Sequence, residues 1–393
     1  MRQPAVRARS KGGADGIREE GELYPKDSEG FLLNPTSAAH IQEPWTPAVE
    51  EARELVRRFF GDRLHSLYLR GSVARGAARP NVSDIDLIVV TWGSVRASDR
   101  VWCGELSAVI VLHHPFVRRV DVSLTPLEHT VYGPVQFRLK LSSLFLWGND
   151  LRPGLPRFRP EDEAALQYAR TLGWDVGHSL VLLRGSPNAK ELSRIRMWIG
   201  KTLVRAGFEL VMAEVEGYTT DLYPCYEAFV ARFPDRKADM RRALELAAGA
   251  DASLDEAEEL IVRLGLWLSA AVDRRFSLSR SPNDMRLDGA AKAPAVLELS
   301  TSEVLRSTGE APPRLRAISS EKGEPLVALR IGRREVRLPR SFLDFMVGLC
   351  GTEGDFRVRD ALVWDRTMPP AKAARLLASL VEWGMLRRIT LIG

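Results

Sequence analysis

The stretch Gly71–Asp86, GSVARGAARPNVSDID, lies between two short apolar runs, SLYLR at 66–70 and LIVV at 87–90. Runs of that length bounded by Gly, Pro, Asn and Ser read as β-strands. Side chains alternate along a strand, so Asp84 and Asp86 point to one face. The chain must therefore bury LIVV and still present two carboxylates at the mouth of the same strand. A glycine-serine turn, with Ser72 twelve residues before Asp84, faces them. Paired carboxylates opposite a turn of that size suit a divalent cation and a nucleoside triphosphate.

A third acid follows. VRRVDVSL at 117–124 alternates as a strand does, with Val120, Val122 and Leu124 on one side and Arg118 at the strand's start on that same side. Arg119, Asp121 and Ser123 take the other side, which makes Asp121 a candidate carboxylate on a neighbouring strand. A salt bridge from Asp121 to Arg118 or Arg119 is the alternative reading. Glu105 is a rival base, but its position in a predicted helix over 97–112 sets it off the strands.

Strand, Gly-Ser, short helix, S-D-x-D strand and a later lone acid occur here in that order. The series resembles the nucleotidyltransferase domain of the DNA polymerase β superfamily, which includes the small-molecule (antibiotic) nucleotidyltransferases. The resemblance is strongest over 60–125. It implies that Asp84 and Asp86 bridge two Mg²⁺ ions. Asp121 would complete the second site and take the acceptor's proton. The cosubstrate would be an NTP, with ATP favoured.

Gly71 lets backbone approach a phosphate, and Ser72 offers a hydroxyl and an N–H at the start of a helix expected from about Val73. Arg75, one turn in, is either a phosphate contact or a solvated arginine. Gly76 is expected to allow close helix–sheet packing. Further along, Arg194, Lys201 and Arg205 recur at i, i+7 and i+11 of a predicted helix over 191–214, forming one basic stripe. The superfamily often uses a lysine from its helical domain on the β- and γ-phosphates; a solvated face explains the stripe equally well. Tyr218 could stack on a base or pack in a core. No G-x-x-x-x-G-K-[ST] loop is present.

The predicted fold class is an α/β nucleotidyltransferase domain with a mixed sheet, then an all-α bundle, then a small winged-helix-like α/β domain. The expected division is a disordered start and irregular arm at 1–45, the catalytic domain at 46–150, the bundle at 151–276, a linker at 277–323 and the winged-helix-like domain at 324–393. Thr46-Pro47 reads as the start of a helix ending at Gly61, and Ser253 with Glu256 as a capping box. Phe342, Phe345, Leu349, Leu362, Leu377, Leu380 and Val381 are the expected core of the last domain.

The net charge of +5 and pI of about 9.2 suit a polyanionic ligand without requiring nucleic acid. Three scattered cysteines without C-x-x-C argue against a disulfide scaffold or structural zinc and fit a reducing cytosol, so a cytoplasmic location is expected. No run of about 18 apolar residues suggests a membrane span. His113 and His114 are adjacent, with side chains expected to diverge into structural roles. The functional expectation is transfer of an NMP, with AMP favoured, to a hydroxyl of a small molecule with release of pyrophosphate. Two alternatives stand beside it. One is transfer to a macromolecule such as tRNA or a protein, chosen by the C-terminal domain. The other is a non-catalytic binding or regulatory protein on the same fold.

Overall fold

Strand β2 (Ile85–Thr91) is apolar on both faces, and Ile85, Leu87, Ile88, Val89 and Val90 are all buried. A strand buried on both sides needs cover on both sides. The computed structural model describes residues 17–276, 303–309, 311–319, 325–352, 354–361, 364–365, 368 and 370–389. It divides into two units, and β2 lies in the one formed by Leu23–Leu166 with Glu216–Thr219. Its sheet runs β3 (Val120–Pro126), β2, β1 (Leu64–Arg70), β4 (Ser143–Gly148). β2 pairs parallel with β3 and antiparallel with β1, and β1 pairs antiparallel with β4, so the sheet is mixed as expected.

On one face, Ala48, Val49, Ala52 and Val56 of α1 (Trp45–Phe60) join Leu106 and Ile110 of α3 (Ala97–His113). They pack against Leu67, Leu69, Leu87 and Val89. On the other face Tyr68, Ile88 and Val90 meet Leu139 of α4 (Gly133–Ser142). α3 is the crossover that a parallel β2–β3 pair requires. Its first turn is anchored by Asp99, whose fully buried carboxylate takes two hydrogen bonds from Arg63, 2.8 and 3.0 Å long, and one from the Arg96 N–H. The Arg63 guanidinium holds the Asp99 carboxyl below the usual carboxylate range.

Several local expectations shift. α1 begins at Trp45 with Pro44 at its N-cap, so Thr46 is inside the first turn rather than capping it. The helix after Gly71 is a single turn, α2 (Gly71–Ala74), starting two residues earlier than expected. Gly76, at φ +70°, faces the arm rather than the sheet: a Cβ there would lie 3.0 Å from the His40 carbonyl oxygen. The arm itself is built into this unit. Tyr24 and Leu32 are buried, and their N–H groups donate to Tyr218 and Phe158 carbonyls. The two imidazoles of His113 and His114 do not diverge. They reach the two oxygens of Glu51 at 2.6 and 2.8 Å, because His114 has already left the helix and is free to turn back toward α1.

The second unit comprises Met1–Glu22, Gln167–Val215 and Thr220–Gly393. Its helical part contains α5 (Leu172–Arg184), α6 (Ala189–Val215), α7 (Leu222–Arg232), α8 (Lys237–Ala248), α9 (Leu254–Leu260) and α10 (Leu266–Phe276). A π-helical turn at Ile261–Gly265 joins the last two. The Ser253–Glu256 capping box is present, with both reciprocal hydrogen bonds made. Residues 151–166, expected in the bundle, belong to the sheet-containing unit instead.

Two strands lie in the stretch expected as a linker, β5 (Val304–Ser307) and β6 (Arg314–Ser319). β6 heads an antiparallel sheet with β7 (Pro325–Ile331) and β8 (Arg334–Pro339). β5 is the middle strand between β10 (Leu386–Ile389) and β9 (Asp355–Arg357). The three expected helices are α11 (Leu343–Cys350), α12 (Val358–Ala361) and α13 (Pro370–Glu382). Of the expected core, Phe345, Leu349, Leu377 and Leu380 are buried, Phe342 and Val381 are partly buried, and Leu362 lies outside the described residues.

This region does not stand apart from the helices. Gly173 and Gly177 of α5 sit directly on the β6 backbone, where a Cβ would lie 2.3 Å from the Ala317 oxygen and 2.1 Å from that of Leu315. Arg316 of β6 pairs with the buried Asp273 of α10 at 3.9 Å and lies over the Trp174 ring. Gly177→Ala is therefore expected to destabilise the protein. The roughly 1 kcal/mol gained in helix propensity is outweighed by overpacking, typically about 1–3 kcal/mol, on a carbonyl that cannot move without shifting β6. Urea denaturation followed by circular dichroism checks the sign.

One buried acid gives a pH signature. Glu209 of α6 is enclosed, and its carboxylate accepts N–H bonds of 2.7–2.9 Å from Gln167, Tyr168 and Ala169. Burial pushes its pKa up to about 7, against the pull of those three donors and of the Arg205 charge. The folded state then holds this proton more tightly than the unfolded chain. Stability should fall as pH rises from about 4.5 to 7, by roughly 3 kcal/mol from this group alone. Glu209→Gln should flatten that segment of the stability–pH profile while lowering stability at pH 5, where the protonated acid is already tolerated.

Candidate active site

The carboxylates follow from where β2 begins. Leu87 and Val89 face the α1–α3 layer, so Asp86, Ile88 and Val90 face the opposite side. Pairing then sets Asp86 beside Arg70 on β1 and beside Asp121 on β3. Arg70, Asp86 and Asp121 thus form one lateral row across three strands. Asp84 precedes β2 by one residue, with the buried Ile85 between it and Asp86.

The Gly71 turn closes on this row. Gly71 has φ +77°, and a Cβ on it would fall 2.2 Å from Oδ2 of Asp86. Only glycine lets the turn and the carboxylate occupy that space. Ser72 follows, partly exposed, in the one-turn α2. Arg75 is the C-cap of α2 rather than a residue within a longer helix, because the helix ends at Ala74.

Three arginines balance the three acids. Arg118 makes a two-pronged contact with Asp84, Nε to Oδ1 and Nη2 to Oδ2, each 2.8 Å. Arg119 Nη2 lies 3.5 Å from Asp84 and 3.7 Å from Asp121. Arg70 Nη2 lies 3.6 Å from Asp86. The Asp84 bond holds the Arg118 pKa above its ordinary value, helped by the nearby charge of Asp86. Asp84 is the most enclosed of the acids, with 14% of its side chain exposed, whereas half of Asp121 is open.

These arginines correct the sequence reading. Arg118 was placed with the apolar residues of the third strand, but that strand starts at Val120. Residues 118 and 119 instead run beside 83–85, with Arg118 N–H donating to Ser83 and Ile85 N–H donating to Arg119. Freed from strand alternation, Arg118 turns to Asp84. The signal available in the sequence was an unbalanced D-x-D with an Arg-Arg pair two residues before the third acid. Among the described residues, no three His, Cys, Asp or Glu side chains are drawn together tightly enough to hold a metal ion. Asp84 is engaged by Arg118, and the expected three-carboxylate ligand set is not assembled.

The remaining candidates lie elsewhere or are engaged. Tyr218 is 1% exposed and packs edge-on to Tyr24 and Phe137, with ring centroids 5.1 and 4.9 Å away. It is a core residue, not a surface on which a base could stack. Arg194, Lys201 and Arg205 belong to α6 in the helical unit. Arg205 donates to the Thr220 carbonyl and the Tyr168 hydroxyl at 3.0 Å each and lies over the Tyr168 ring, so it is a structural cation. Arg194 is exposed and Lys201 partly buried. Glu105 is exposed on α3, as its predicted helix implied. Among the described residues, no helix is long and apolar enough to cross a membrane.

Residues 49–126 match the family described as nucleotidyltransferase domain, a span from α1 to the end of β3 that contains every acid of the row. No curated protein matches the sequence. Among solved structures, the chain is similar to spectinomycin adenyltransferase AAD(9) from Enterococcus faecialis, determined with ATP and spectinomycin. The identity is 14%, with a TM-score of 0.40, over 57% of this chain and 98% of that one. Residues 49–126 thus form a nucleotidyltransferase domain, and the chain that carries it is an enzyme of the nucleotidyltransferase class.

Proposed function

We propose that this enzyme transfers a nucleoside monophosphate, AMP by preference, from its triphosphate to a hydroxyl of a small molecule. The lateral row Arg70–Asp86–Asp121, with Asp84 beside it and the Cβ-free turn at Gly71 against it, carries this reading. Carboxylate oxygens are the donor type that Mg²⁺ selects. The acids fit such a cation in chemistry and in sharing one sheet face, provided that Arg118 releases Asp84. Asp84, Asp86 and Asp121 would then hold it. Bound there, divalent cations would neutralise the triphosphate and acidify the acceptor hydroxyl.

The chain's own groups do the rest. Ser72 presents its hydroxyl and N–H to phosphate oxygens at the turn. Asp121, the most open acid, takes the proton of the acceptor hydroxyl as its oxygen bonds to the α-phosphorus. The bond from that phosphorus to the bridging oxygen breaks, and pyrophosphate leaves with the electron pair. Arg70, paired across from Asp86, offsets part of its charge in the row.

Pyrophosphate release with Mg²⁺ and each NTP, over a panel of hydroxylated acceptors read by mass shift, tests the activity. Asp86→Asn should reduce transfer by about 10³-fold or more, an effect of about 4 kcal/mol or more on the barrier, with the melting temperature little changed. Asp121→Asn should slow turnover while leaving triphosphate affinity within a few-fold. Gly71→Ala should impair both fold and transfer, since an L-residue at that φ costs roughly 1–2 kcal/mol and its methyl displaces the Asp86 carboxylate. Normal turnover by the Asp86 variant would remove the mechanism.

A further inference from the structure

The acids of the row are already neutralised by the protein. Arg118 occupies both oxygens of Asp84 in a fork geometry that a guanidinium can match and an ammonium cannot. Arg119 reaches Asp84 and Asp121, and Arg70 reaches Asp86. The three arginines differ in grip: the Arg118 contacts are 2.8 Å, the others 3.5–3.7 Å. A cation that needs Asp84 must displace a strong two-pronged hydrogen bond, whereas Arg70 and Arg119 stand farther from Asp86 and Asp121. Arg118, like Arg119, lies outside any strand, and 37% of its side chain is exposed, so solvent-borne phosphate can reach the guanidinium.

We propose that Arg118 is the positioning residue of this site, an internal counter-ion that holds Asp84 until a triphosphate offers the guanidinium a better partner. Divalent cation and nucleotide then load together, and the cation alone binds weakly. A triphosphate is the fitting exchange partner because its non-bridging oxygens accept the same fork as a carboxylate and carry more charge. When the guanidinium turns to phosphate, Asp84 is released for the cation in the same event. Each ligand therefore raises the affinity for the other, and the coupling is reciprocal. Arg119, which touches Asp84 and Asp121 at longer range, keeps the acids from full repulsion during the exchange. This inference rests on the metal-binding reading of Asp84, Asp86 and Asp121 given above.

The test uses Mn²⁺ and the intact protein without turnover, reading free Mn²⁺ by its electron paramagnetic resonance signal. Wild type alone should bind Mn²⁺ weakly. Arg118→Ala should bind it at least tenfold more tightly, and adding Asp86→Asn to that variant should abolish the gain. A non-hydrolysable ATP analogue should enhance Mn²⁺ binding by wild type more than by Arg118→Ala, because the variant has no clamp to release. Arg118→Ala should also melt lower than wild type without cation and recover when Mn²⁺ is added. Should the alanine variant not fold, Arg118→Lys serves: it keeps the charge, loses the fork and should bind Mn²⁺ more tightly than wild type. Equal Mn²⁺ affinity in wild type and the folded variant overturns the role of Arg118 and leaves the metal site standing. No Mn²⁺ binding by any form, with or without the analogue, overturns the metal-site reading and this inference with it.

Discussion

Placing Asp86 beside Asp121 on neighbouring parallel strands is the constraint on which the rest of the sheet depends. Adjacent strands are about 4.8 Å apart. Two unit charges at that spacing repel by roughly 3 kcal/mol at an effective dielectric of about 20. Five buried apolar side chains on β2 oppose this, and each is worth about 1.5–3 kcal/mol when fully enclosed. One strand's core contacts can therefore hold an unfavourable acid pair at its mouth. The arginines reduce the repulsion further: each of the three acids has at least one within 4 Å, and Asp84 has two.

The layers around β2 exist to fix that geometry. A parallel pair cannot be joined by a hairpin, so Asp121 arrives beside Asp86 only after α3 has crossed over the sheet. The start of that crossover is fixed by a buried ion pair, Arg63–Asp99, at the opposite end of the strands from the acid row. Its end is fastened to α1 by Glu51 and the two histidines. Each clasp sits outside the chemistry, yet each limits how far β3 can slide against β2. A slip of one residue would turn Asp121 into the α1–α3 core and bring Val120 or Val122 into the row.

The parts of this arrangement that were legible in the sequence are those with a local cause. Period-two alternation placed Asp84, Asp86 and Asp121 correctly relative to the core, and the glycine of the turn was identifiable because the turn needs a positive φ. Element order from α1 to β3 was readable from hydrophobic periodicity, but α4 and β4, the edge strand beside β1, were not read. What was not legible has a non-local cause. The start of β3 depends on hydrogen bonds between residues 118–119 and residues 83–85, so the role of Arg118 was hidden. Tyr218 is enclosed by residues 81 and 194 positions away in sequence, Phe137 and Tyr24, and no window around it reveals that. Strands β5 and β6 fall in a stretch of weak periodicity and gain their partners from β7, β9 and β10.

The same distinction applies to the C-terminal region. Its three helices and the strands β7, β8 and β10 were recognisable one by one, but its independence was inferred from a stretch that looked like a linker. The glycines of α5 argue otherwise. Gly173 and Gly177 are four residues apart on one helical face, and each meets a β6 carbonyl at a distance that excludes even a methyl group. Backbone-to-backbone packing of that closeness leaves no room for a solvent layer. Removing β6 would expose a helix face with no side chains to rearrange over the gap, and would leave Asp273 without Arg316. The sheet β6–β7–β8 is therefore part of the core of the helical unit, so any role it has in choosing an acceptor must be exercised from within that core.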